Sequence, residues 1–292
     1  MLIRLGYEIE IECAQPTPLI SLLEIHPERQ ADIKRQSIVA TSPRVRSSVY
    51  RDLFGNVCRR FTAPQGRFKL TYDAIVEDSG LPDATNTLAK VAPVENLPDD
   101  TIGFLLGSRY CETDHLADLA WRKFGEIDGG WARVQAICDY VHKRLSFGYG
   151  YARATRTAVQ AHEERVGVCR DFAHLAITLC RCVNIPARYV NGYLGDIGVP
   201  VDPAPMDFSA WFEAFIDGQW HTFDARHNIP RIGRVVIARG RDATDVPLLH
   251  SFGAHTLKLF QVWTFEETEA VNPAQQSQFQ RIDRTMTAQM LA

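Results

Sequence analysis

The sequence predicts an α+β protein: an N-terminal β-sandwich, then an α+β domain in which helices precede an antiparallel sheet. Three observations carry this. Residues 1 to 78 contain short alternating segments separated by Gly and Pro turns. Residues 114 to 183 contain apolar residues at helical spacing, and from Ala187 alternation returns. At 292 residues the chain exceeds a typical single domain. We therefore expect a sandwich over 1–78, a linker over 79–99, an α+β domain over 100–268 and a terminal tail over 269–292.

In order along the chain, Ile3, Leu5, Tyr7, Ile9, Ile11 and Cys13 alternate with Arg4, Glu8, Glu10 and Glu12, the pattern of a half-buried strand. Gln15-Pro16-Thr17-Pro18 breaks it, and Leu19 to Ile25 suits a second strand. Asp52 to Asn56 reads as a turn, and after Pro64-Gln65-Gly66 a strand resumes through Phe68, Leu70, Tyr72, Ala74 and Val76. Prolines 82, 93 and 98 mark the linker. A helix is expected up to Phe124, and another carries Trp131, Val134, Ile137, Cys138, Val141 and Leu145. Strands are expected over 187–194, 208–216, 220–224, 234–238 and 257–265. Phe279, Ile282, Met286 and Met290 keep helical spacing in the tail.

A net charge of −3 without a dense basic block argues against a nucleic-acid partner. The seven cysteines show no CxxC spacing, so neither a disulfide framework nor a zinc ribbon is indicated. No signal sequence opens the chain and no apolar run approaches the roughly 20 residues that span a bilayer. A cytoplasmic protein with no membrane partner is expected. No phosphate-binding glycine loop occurs, and His162-Glu163-Glu164 lacks the second histidine of a helical zinc motif, so neither cofactor nor metal is called for.

The chemistry centres on Gly167-Val168-Cys169-Arg170-Asp171-Phe172-Ala173-His174-Leu175. Phe172, Leu175, Ala176, Leu179 and Val183 form one face of an amphipathic helix, which Asn184 and Pro186 end. Cys169 stands at its first turn, where the helix dipole and unpaired N–H groups favour thiolate. That makes it a candidate nucleophile; the alternative is a small buried hydrophobe.

This stretch, continued through Asn184-Ile185-Pro186-Ala187-Arg188-Tyr189-Val190-Asn191-Gly192-Tyr193, resembles the core motif of the transglutaminase-like superfamily. Ala210-Trp211-Phe212-Glu213-Ala214 and Trp220-His221-Thr222-Phe223-Asp224 resemble its second block. The N-terminal Tyr50-Arg51-Asp52 and Phe54-Gly55-Asn56 resemble the region often fused to bacterial members. The resemblance implies a papain-like triad of cysteine, histidine and aspartate, with Cys169 and Asp224 as members. At the histidine position this chain has Ser209.

A type I′ turn at Asp217-Gly218 sets Ile216 opposite Gln219 and, counting outward, Trp211 opposite Asp224. Ser209, Trp211, Glu213, Thr222, Asp224 and Arg226 then share one face, expected to look toward Cys169. A serine hydroxyl is too weak an acid or base to carry the proton, a role worth about 10²–10⁴-fold. His174 points elsewhere around its helix and His221 lies on the opposite strand face. His227, beyond Asp224, is the local substitute; the alternative is that it is an ordinary surface residue. For Asp224 the alternative is an ion pair with Arg226 or Arg188. Trp211, Tyr149 or Tyr151 would add an oxyanion donor beside the helix-start N–H groups, or be core. Gly240 to Val246 reads as a turn beside the cleft. The expected activity is hydrolysis or acyl transfer at a peptide or protein amide through a Cys169 thioester. The rival is a pseudoenzyme that binds a peptide or protein.

Overall fold

A computed structural model describes residues 1–267. The terminal helix expected over 269–292 lies outside the described residues. The first region forms β1 (Leu2–Cys13), β2 (Thr17–Ser21), β3 (Ile33–Gln36), β4 (Ala40–Ser42), β5 (Ser47–Arg51), β6 (Val57–Ala63) and β7 (Gly66–Glu77). Ile3, Leu5, Tyr7, Ile9 and Ile11 are fully buried along β1, as period-two patterning over a covered face requires. The strand expected over Leu19–Ile25 stops at Ser21, although Leu22, Leu23 and Ile25 are buried. There the backbone leaves the sheet and donates from Leu22 to the Leu248 carbonyl and from His26 to that of Val236. β3 and β4 escaped sequence reading because they are largely exposed and carry no apolar stripe.

The chain continues through α1 (Asp99–Ile102), α2 (Thr113–Phe124), α3 (Gly130–Arg144), β8 (Ser146–Phe147), α4 (Ala158–Glu164), β9 (Val166–Gly167) and α5 (Cys169–Cys182). Then come β10 (Ala187–Tyr193), β11 (Ser209–Ile216), β12 (Gln219–Phe223), β13 (Val235–Gly240), β14 (Leu249–Ser251) and β15 (His255–Glu266). Strands β12-β11-β10-β13 make one antiparallel sheet. Asp217 and Gly218 both have positive φ, 53° and 75°, and Ile216 pairs with Gln219, the register a type I′ turn dictates.

The N-terminal sandwich is not made by residues 1–78 alone. Its two sheets run β15-β1-β7-β3, with β4 also on β7, and β14-β2-β6-β5. Phe61 and Phe68 meet across them with ring centroids 5.5 Å apart. The last two strands, expected within 100–268, therefore complete the sandwich. A long buried strand such as β1 needs hydrogen-bond partners on both edges, and β7 supplies only one. Alternation tells which residues face inward but not which distant strand fills the second edge. The expected linker is also tied down. Asp83 accepts from Arg234 and the Arg231 backbone, while the Ala89 carbonyl accepts from Gly130 and Trp131.

Helix α5 is more deeply placed than its amphipathic pattern suggests. Besides the apolar stripe, His174, Thr178 and Arg181 on its other side are buried. Helices α2, α3 and α4 and the sheet surround it. These buried side chains make internal hydrogen bonds: Arg181 donates to the carbonyls of Ala187, Leu106 and Arg241, Thr178 to that of His174, and His174 Nε2 accepts from the Ala243 N–H. Among the described residues no helix is long and apolar enough to cross a membrane.

Candidate active site

The site begins at the entry to α5. Val168 is extended (φ −107°, ψ 177°), and Cys169 is the first helical residue, so its N–H has no carbonyl one turn earlier in the helix to bond. The Asp171 carboxylate reaches back to accept the Val168 N–H at 2.9 Å and is itself held by Arg156 at 3.1 Å. Gly167 makes room for this contact. A Cβ there would lie 2.6 Å from Asp171 Cβ and 2.9 Å from its Oδ2.

Cys169 opens onto a cavity of about 290 Å³. Tyr189 and Asn191 of β10, the run Asp207 to Ala210 entering β11, and the segment after β13 form its walls. The last segment is the turn expected beside the cleft. Arg241 pairs with Asp245 at 2.9 and 3.0 Å, and Asp242 accepts the N–H groups of Tyr110 and Thr244, each at 2.8 Å. This stiffened loop presents Ala243, Thr244 and Val246 to the cavity.

The thiol itself departs from expectation. Burial pushes Cys169 above its ordinary value; the Arg226 guanidinium, the Ala210 N–H and Arg170 pull downward without overcoming it, and Asp207 adds to the rise. A helix start favours thiolate only where the sulfur keeps enough polar surroundings, and sequence does not report that.

The strand face expected to look at Cys169 is mostly turned the other way. Trp131 of α3 packs on Phe223 (4.6 Å) and His221 (5.6 Å), and Phe223 stands opposite Phe212, so the helices cover the Phe212 face. Trp211 instead packs with Val190 and Val236, with the Arg234 guanidinium 4.8 Å from its ring centre. Glu213 meets Arg188 and Arg239 on that side. Trp211 is thus core and does not line the cavity. Ser209, at the head of β11, does line it.

Asp224 is buried with both oxygens engaged. Oδ1 accepts the N–H groups of Arg226 (2.9 Å) and His227 (3.0 Å); Oδ2 meets the His227 ring (2.8 Å) and Arg234 (2.9 Å). Burial opposes its charge, but Arg234 and His227 outweigh it and hold the carboxyl far below the usual carboxylate range. The structure brings His227 to Asp224, and neither residue lines the Cys169 cavity. Asp224 anchors the turn from which Arg226 extends over the Phe147 ring at 3.7 Å and into the field of Cys169.

Tyr149 is half-buried, its ring 5.2 Å from that of Phe147. Burial raises its hydroxyl, which also feels Asp207, Arg226 and Cys169. Sequence reading missed Asp207. Its carboxyl is pushed up to about 7 by burial, against the Phe208 N–H and Arg226. Such a group favours the protonated fold, so its ionisation lowers stability as pH rises from about 4, the unfolded value, through 7. Asp207→Asn should match the parent at pH 4 and exceed it at pH 8 by on the order of 2 kcal/mol in thermal melts. Equal melting at pH 8 would contradict the raised carboxyl.

A family model described as the transglutaminase-like superfamily matches residues 122–225, which include Cys169, Ser209 and Asp224. The crystal structure of a proposed cysteine protease from Cytophaga hutchinsonii matches with a TM-score of 0.80 and 32% identity, covering 93% of this chain and 92% of that one. An uncharacterized protein of Mycobacterium leprae is 25% identical over 221 residues, 71% of this chain and 76% of that protein. One from Mycobacterium tuberculosis (strain ATCC 25618 / H37Rv) is 27% identical over 245 residues, 76% of each.

Proposed function

Because the chain belongs to the transglutaminase-like superfamily, we propose that it is a cysteine enzyme acting on amide bonds of peptides or proteins, as a protease or amidase. The observation that carries this reading is access: of seven free cysteines, six are buried and Cys169 alone is half-buried, at the border of the cavity. Its sulfur attacks the carbonyl carbon. The oxyanion then faces the unpaired N–H groups of the first turn of α5, with the Tyr149 hydroxyl as a further donor. The thioester passes to water, or to an amine where the cavity excludes water. Asp224 acts by positioning Arg226. We place the protein in the cytoplasm on the strength of its seven unpaired cysteines.

A second reading, a pseudoenzyme that binds a peptide or protein, is favoured by Ser209 at the histidine position and by the engagement of His227 with Asp224. Peptide mapping after incubation with a peptide p-nitrophenyl ester at pH 8 separates the two. An acyl adduct confined to Cys169 is the expected result. Adducts spread over several residues, or none, would leave binding as the function.

A further inference from the structure

We propose that Asp207 is the proton carrier of the Cys169 site, taking the role that the family gives to a histidine at the position of Ser209. This rests on the acyl-transfer reading above. Asp207 and Cys169 line the same cavity, and Ser209 follows Asp207 by two residues at the head of β11. The partners of the half-buried Asp207 carboxylate set it apart from the buried carboxylates of the region. Asp171 is paired with Arg156, Asp224 with Arg234, and Asp242 is held by two backbone N–H groups. Asp207 has one hydrogen bond among the described residues, to the N–H of its neighbour Phe208 at 2.7 Å. A carboxylate so lightly held, on a reaction cavity, is free to take and return a proton.

The charged and titratable groups around it come from several elements. Cys169 and Arg170 lie at the head of α5, Tyr149 in the short turn after β8, Tyr189 on β10 and Arg226 after β12. Asp202 lies upstream, and His250 of β14 borders the cavity. Burial places the Asp207 carboxyl near neutrality, where a general acid–base group is most effective. His250 is the rival; it is exposed, with its ring against Phe252 at 4.8 Å.

In the forward step the Cys169 S–H proton passes to the Asp207 carboxylate as the C–S bond forms and the carbonyl π pair moves to oxygen. Collapse breaks the C–N bond, and the amine leaves with the proton from Asp207. Water then adds to the thioester, giving its proton to Asp207. The adduct collapses to the carboxylic acid as the C–S bond breaks, and the sulfur takes the proton back from Asp207.

The test uses the full chain and p-nitrophenyl acetate, whose leaving group departs as an anion and needs no acid. Acylation gives a burst, while deacylation still needs a base for water. Acylation still needs a base for the thiol proton, so Asp207→Asn should slow both the burst and deacylation by about 10²-fold at pH 7. It should also abolish the rise of deacylation with pH near 7, and Asp207→Glu should restore part of it. A burst or deacylation within twofold of the parent, a pH dependence near 7 that persists in Asp207→Asn, or loss in His250→Ala with Asp207→Asn normal would each overturn the proposal. An absent burst, or one untouched by Cys169→Ser, sinks the acyl-transfer reading and this proposal with it. An intact burst with unaltered Asp207→Asn turnover sinks this proposal alone.

Discussion

Glu213→Ala is expected to destabilise the fold by about 3–5 kcal/mol, the range for removing one partner of a buried ion pair. Glu213 is buried on β11, where Oε2 accepts from Arg188 at 2.6 Å and Arg239 at 2.9 Å, and Oε1 accepts from Arg239 at 3.0 Å. Arg239 continues to Glu28 with two contacts of 2.7 Å, and Asn56 brackets its backbone at 2.7 and 2.8 Å. Two guanidiniums would lose their shared, largely buried carboxylate. The same network joins the sandwich to the central sheet, so urea melts should lose stability in one cooperative transition. Burial raises the Glu213 carboxyl, but Arg239 and Arg188 outweigh it and leave it below the ordinary value. Its stabilisation is therefore present above the unfolded value of about 4.3 and is lost as pH falls through the lower folded value. A loss under 1 kcal/mol at pH 7 would show that the network holds without its centre.

Cys169→Ser should lower amide turnover by at least about 10³-fold, because a hydroxyl in this setting is a far poorer nucleophile than a thiol and the site offers no second one. Affinity for a bound peptide should change little, since the substitution is nearly isosteric. This separation distinguishes an enzyme from a binding protein: in the latter the parent would bind the same peptide without turnover, and the variant would be indistinguishable from it. Because burial raises the thiol, parent turnover should also climb with pH over the range in which Asp207 ionises.

The path of the chain through its elements was legible residue by residue wherever a pattern had a local cause. The alternation of β1, the type I′ turn at Asp217-Gly218, the helical stripe from Phe172 and the run Gly240 to Val246 each obey short-range sterics and hydrogen bonding. Pairings between distant segments were not legible. That β15 closes the free edge of β1, and that the face bearing Trp211 turns from α5, depend on which surfaces meet, a choice local patterns do not encode.

The site divides the same way. Sequence by itself determined where the thiol sits, at the first turn of a helix, and that a serine stands where the family has its histidine, because both are matters of order along the chain. The tertiary structure alone decided the charge state of that thiol, the engagement of Asp224 with Arg234 and His227, and the presence of Asp207 on the cavity. The physical reason is that ionisation answers to every group and every excluded water around an atom, and these neighbours come from segments far apart in the chain.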